Sequence, residues 1–150
     1  INNAGLHSDE YGQPTRVLGV EKIRRLFDVN VMGTVTCTLA AVPHMAGRDG
    51  ANIVNISSMA AHLGGSTYGV SKLAVAGITI TFARELGGEG IRVNAISPGL
   101  ILTETIKAEL PEATRAAVRD GQALQTDGAE SDIVAAMLYL ASRDARFVTG

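Results

Sequence analysis

The chain predicts an α/β fold, a doubly wound parallel sheet, from three observations. Two short apolar runs, Ile53-Val54-Asn55-Ile56 and Ile91 to Ile96, read as buried strands. Two long stretches, Val20 to about Met45 and Thr67 to Leu86, repeat apolar residues at three- and four-residue intervals, the period of an amphipathic helix. Glycine and proline clusters separate these stretches, so strands alternate with helices, as they do where parallel strands are joined by helical crossovers.

Composition narrows the function. At 150 residues the chain is long enough for one domain with a workable core. A net charge of -2 gives no basic footprint, so neither a nucleic-acid partner nor an anionic membrane surface is expected. Forty-six per cent of residues are hydrophobic, with no apolar run expected to span a bilayer, which favours a globular protein. Cys37 is the single cysteine, so no internal disulfide and no metal site is expected. It falls in an apolar helical stretch and is expected to be buried and inert, in keeping with a reducing cytoplasm. The sequence opens at Ile1 inside what reads as a strand end and stops at Thr149-Gly150; a piece of a longer protein is the expectation.

Taken in order, Ile1-Asn2-Asn3-Ala4-Gly5 reads as a strand end entering a tight turn. Residues 6–19 are polar and read as a surface loop, with His7 and Tyr11 solvated. In the helix from Val20, the apolar residues Ile23, Leu26, Phe27, Val31, Val35, Leu39 and Val42 predict the inward stripe, and Pro43 and Gly47 predict the end. Asn30 lies inside it, where an asparagine is mildly unfavourable without a partner. Residues 51–57 form the predicted strand and 59–67 a small-residue loop. Gly87-Gly88-Glu89-Gly90 is a helix stop, since a phosphate loop must follow a strand. Ser97-Pro98-Gly99 ends the second strand. Residues 104–128 read as one or two short helices, and a last helix starts near Ser131 or Asp132.

The chemistry concentrates between Asn52 and Lys72. Tyr68 and Lys72 stand four residues apart, on one helix face. A cation beside a phenol favours the phenolate, which suits the tyrosine to proton transfer near neutral pH. Chance pairing at this spacing is expected about 0.06 times in such a chain, so the spacing alone is moderately specific. Ser58, just past the strand, falls at the carboxyl edge of the sheet, where α/β folds bind ligands.

Ser57-Ser58 followed by Tyr68-x-x-x-Lys72 resembles the catalytic segment of the short-chain dehydrogenase/reductase family. The resemblance runs the length of the chain and implies a Rossmann-like domain from its fourth strand onward. It implies an NAD- or NADP-dependent oxidoreductase interconverting a small-molecule secondary alcohol and a ketone. Ser58, Tyr68, Lys72 and Asn30 would be the catalytic set, the asparagine holding a water that relays protons to the lysine. Asn3, Ala4 and Gly5 would lie on the cofactor's adenosine side. Pro98, Gly99, Ile101 and Thr103 would approach its nicotinamide or phosphates, with Tyr68 and Lys72 also touching it. A homo-oligomer, dimer or tetramer, paired through the two long helices is implied as well. Nine residues separate Ser58 from Tyr68, about three fewer than in most members, which leaves Ser57 as the alternative to Ser58. No glycine-rich pyrophosphate turn follows a strand anywhere in the chain. A catalytically silent dinucleotide-binding or regulatory protein on the same fold is the competing expectation.

Overall fold

The computed structural model describes residues 1–150, the side chains of residues 8 and 9 excepted. In chain order it comprises α1 (Ser8–Tyr11), α2 (Thr15–Leu18), α3 (Val20–Phe27), a π-helical turn (Asp28–Met32), α4 (Gly33–Met45), β1 (Asn52–Ile56), α5 (Ala60–Leu63), α6 (Thr67–Leu86), β2 (Arg92–Ile96), α7 (Glu104–Glu109), α8 (Glu112–Asp120) and α9 (Glu130–Ala141).

β1 and β2 pair in parallel, Asn52 opposite Arg92 through Ile56 opposite Ile96, with α6 as the crossover. The amino-terminal segment lies along the other side of β1. Asn2 donates its N–H to the Val54 carbonyl at 2.9 Å and accepts from Ile56 N–H at 3.1 Å, in a parallel bridge opposite Asn55. Beyond β2, Gly150 N–H reaches the Val93 carbonyl at 2.8 Å, and Val93 N–H reaches the Thr149 hydroxyl at 3.0 Å. Thr149 and Gly150 therefore lie along β2 without forming a third strand. The core sits between the sheet and α6, built on Ile53, Phe82, Leu86, Ile91 and Val93. Two asparagines are buried in the strands because each finds partners. Asn55 accepts from the Asn2 amide at 2.8 Å and donates to the Thr79 hydroxyl at 2.8 Å; Asn94 donates to the Val148 carbonyl at 2.9 Å.

Several expectations change. Residues 6–19 form two short helices, and Tyr11 is 1% exposed, packed with Leu18 and Leu26 and against Tyr68. Its apolar ring outweighs the polarity of its neighbours. The long helix ends at Met45, as expected, but carries a π turn at Asp28–Met32. Its buried stripe is Leu26, Asn30, Thr34 and Thr38, whereas Leu39 is 57% exposed. Cys37 is likewise exposed, because the face toward the sheet is taken by those small polar residues. Val20–Met45 spans 26 residues with an 18-residue window of mean hydropathy 1.3, so it is long and apolar enough to cross a membrane by those measures, contrary to the expectation of no such run; 22% of that window is buried. The final helix starts at Glu130, with the Asp132 carboxylate accepting from Ala129 N–H at 2.8 Å in place of a serine or aspartate cap.

Candidate active site

Both strands of the pair end at the same edge, and the chain departs from each into one cleft of about 880 Å³. Asn3 and Gly5, Ser58, Tyr68 and Lys72, and Pro98, Gly99, Ile101 and Thr103 all line it. A second hollow of about 580 Å³ lies at the opposite edge, around the residues that precede β1 and β2, and contains none of these groups.

The two serines after β1 have different surroundings. Ser57 is buried, and its hydroxyl donates inward to the Lys72 carbonyl at 2.8 Å. Ser58 lines the cleft, accepts from Ala60 N–H at 3.2 Å and hydrogen-bonds the Tyr68 hydroxyl. The short connection to Tyr68 is taken up by α5, which packs on the first turns of α6. Gly69 makes that contact possible, since a Cβ there would collide with the Ala60 carbonyl. Ser66 caps α6, accepting from Gly69 N–H at 3.0 Å, and this places Tyr68 in the first turn and Lys72 one turn on.

Lys72 is 6% exposed. Its Nζ donates to the Ile56 carbonyl at 2.8 Å and stands 5.9 Å from the centre of the Tyr68 ring. The sequence expects this cation to bring the phenol down. Instead burial pushes the Tyr68 hydroxyl above its ordinary value, the Ser58 hydrogen bond offsets only part of that, and burial pushes the Lys72 ammonium down. In the protein alone, removal of water outweighs attraction.

Asn30 lies beneath the cleft rather than on its wall. Its Oδ1 accepts from Leu6 N–H at 2.7 Å, and its Nδ2 donates to the Ser71 hydroxyl at 3.1 Å and to the Leu6 carbonyl at 3.4 Å. Both amide hydrogens and one Oδ1 lone pair are engaged. The Asn30 backbone carbonyl accepts from the Thr34 hydroxyl at 2.9 Å, which leaves one of its lone pairs for a water. The π turn brings Asn30 to this position, in keeping with such turns at functional sites. Ser71, which sequence reasoning passed over, joins Asn30 to the Tyr68 carbonyl, donating to it at 2.7 Å. Only its place one residue before Lys72 could have signalled it. Met59 was also missed; its N–H ties α5 to the Pro98 carbonyl at 2.8 Å.

Of the remaining expected contacts, Ala4 is not on the cleft wall. Thr103 is, but its oxygen accepts from Ile106 N–H at 3.2 Å as the cap of α7, leaving its hydroxyl proton for another partner. Among the described residues no group of three His, Cys, Asp or Glu could hold a metal.

Parallel strands opening at their carboxyl edge onto a Ser-Tyr-Lys cluster define a Rossmann-like α/β protein. A family model described as enoyl-(acyl carrier protein) reductase matches residues 1–150. The chain is 37% identical over 150 residues to an uncharacterized oxidoreductase of Mycobacterium tuberculosis, covering 100% of this chain and 60% of that protein. It is 39% identical over 155 residues to a 3alpha-hydroxysteroid dehydrogenase of Mediterraneibacter gnavus, again covering 100% and 60%. The solved structure of a 4-hydroxyisoleucine dehydrogenase complexed with NADH matches with a TM-score of 0.85 at 30% identity, covering 99% of this chain and 62% of that one. The chain belongs to the short-chain dehydrogenase/reductase family. It spans about 60% of the length of the curated relatives it matches.

Proposed function

We propose that the whole protein is an NAD- or NADP-dependent oxidoreductase that interconverts a secondary alcohol and a ketone. The observation that carries this reading is the Tyr68 phenol held by Ser58 beside the Lys72 ammonium in one cleft. The names of relatives support it: hydroxysteroid and L-fucose dehydrogenases among the curated proteins, and NADH in a matching solved structure.

The residues present fit a nicotinamide dinucleotide. Lys72 gives one of its three N–H donors to Ile56, leaving two for ribose hydroxyls. Gly5 stands beside it, where a Cβ would sit 3.5 Å from Nζ, so its absence keeps the approach open. When bound, the cofactor supplies or accepts the hydride. Tyr68 then gives its phenolic proton to the substrate oxygen during reduction and takes one back during oxidation. The Lys72 charge stabilises the phenolate left behind, and Ser58 donates to the oxygen as negative charge develops on it. Asn30 and Ser71 position the turn that carries Tyr68.

The test is consumption of NADH and NADPH by the whole protein with a panel of ketones, repeated with Tyr68→Phe. Loss of the general acid lowers kcat by about 10²–10⁴. Turnover by the phenylalanine variant at the parent rate rejects the assignment of Tyr68.

A further inference from the structure

The wall of the cleft facing Tyr68 carries more information than the catalytic set uses. It is made by α5, the segment after β2, and the helices α7 and α8, through Met59, Leu63, Leu100, Ile106, Leu110 and Val118. None of these side chains can donate or accept a strong hydrogen bond. Leu63 is 70% exposed, an apolar side chain left facing the opening. Among the described residues, Lys72 is the only lysine or arginine on the walls, tied to Ile56 on the catalytic side, and Glu109 of α7 is the only carboxylate on them.

We propose that the substrate is a bulky, uncharged, apolar secondary alcohol or its ketone, and that the cleft rejects analogues carrying a carboxylate or several hydroxyls. The inference rests on the oxidoreductase reading above and specifies its substrate. A ring system placed with its carbinol carbon at Tyr68 covers the apolar wall and removes it from water, which favours binding in proportion to the area covered. A polyol meets only Thr103, Thr105 and Glu109 as partners on the same wall, and Thr103 already caps α7, so most of its hydroxyls lose their water without replacement. A carboxylate beside α7 meets the Glu109 charge, while the basic side chains of the cleft, Lys72 and His7, belong to other segments, so both burial and repulsion act against it. Of the polar side chains on the walls, Ser58 and Tyr68 serve the reacting oxygen; Asn3, His7, Thr103 and Thr105 also line the cleft and come from other segments. The selection is thus for one oxygen on an otherwise apolar body.

The experiment compares three ketones of matched ring size: an unsubstituted fused bicyclic ketone, the same skeleton bearing a carboxylate, and a polyhydroxylated cyclic ketone. Two readouts are taken in the whole protein: kcat/KM with NADH and with NADPH, and calorimetric binding of the three matching alcohols to the Tyr68→Phe variant loaded with oxidised cofactor. The apolar member is expected to exceed the other two by about 100-fold in both. Ile106→Asp should lower its kcat/KM by about tenfold or more, and Glu109→Lys should raise that of the carboxylate by about tenfold. Equal or better turnover and binding of the charged or hydroxylated compound overturns the inference and leaves the oxidoreductase reading intact. Selective binding of the apolar alcohol without turnover by the parent protein upholds the specificity of the cleft and rejects the oxidoreductase reading. Neither turnover nor selective binding overturns both.

Discussion

At Tyr68 two influences act in opposite directions. Burial disfavours the phenolate and raises the hydroxyl above its ordinary value of 10.0, while the hydrogen bond from Ser58 lowers it. Ser58→Ala removes the lowering influence and leaves the burial, so the phenol should ionise at still higher pH in that variant. Ultraviolet titration of each cofactor-free protein against its own Tyr68→Phe counterpart isolates this one group. A fall on removing the serine would show that its hydrogen bond favours the neutral phenol and would overturn the sign assigned to it. The sign for stability follows from the same shift. With the folded value raised, the contribution of Tyr68 is fully present below pH 10.0 and is lost as pH rises through the folded value. The residues of this cluster were legible in the sequence because a helix fixes which neighbours meet: Tyr68 and Lys72 are one turn apart, and Ser58 follows a strand. Tyr11 was not legible, since its burial depends on Leu18 and Leu26 arriving from other segments. Ser71 was hidden for a related reason. Its hydroxyl does nothing special within α6, and its role appears only when Asn30 approaches across 41 positions of sequence.

Whole elements were legible in proportion to how much of their structure is local. The bounds of α6 follow from a serine cap, an unbroken apolar period and the glycines from Gly87, all written in consecutive residues. The four residues of α5 are too few for any period. They hold a helical turn because Ala61 N–H reaches the Ser58 carbonyl at 3.1 Å and because Gly69 lets α6 come close. That contact makes Gly69 a sensitive position. Gly69→Ala places a methyl against the Ala60 carbonyl, a backbone atom that cannot turn aside. The variant should lose about 1–3 kcal/mol of stability, as overpacked sites do, and its melting temperature should fall by several degrees. Because Ala60 and Met59 line the cleft, turnover should fall in the same variant at temperatures where it remains folded. A melting curve and rate identical to the parent would mean that α5 is free to move and does not shape the site. The π turn was equally beyond reach of the sequence, which shows only a helical period; its partners at Leu6 and Ser71 belong to two other elements.

For the molecule as a whole, the parallel sheet and its order of elements followed from alternation of strands and helices, but the direction in which the helices face did not. A long helix with apolar residues on several sides does not declare its inner face. Packing gave that face to Asn30, Thr34 and Thr38, and left Val29, Met32 and Leu39 exposed on the first long helix. On α6, which contacts the same π turn, Val70, Leu73 and Ile80 are exposed as well. We propose that these exposed apolar side chains on adjacent helices form an interaction surface. A second copy of the chain is the expected occupant, since a two-fold axis lets the same helices cover each other. Leu73→Glu with Ile80→Lys puts unlike charges on the two positions and keeps the net charge of the chain. In sedimentation equilibrium the parent should behave as a dimer or tetramer. The double variant should dissociate at least tenfold more readily, because charges in the centre of an interface lose their water without matched partners. Far-ultraviolet dichroism separates dissociation from unfolding. An oligomer of unchanged size and affinity would place subunit contacts away from these helices, and the exposed side chains would then need a different cover.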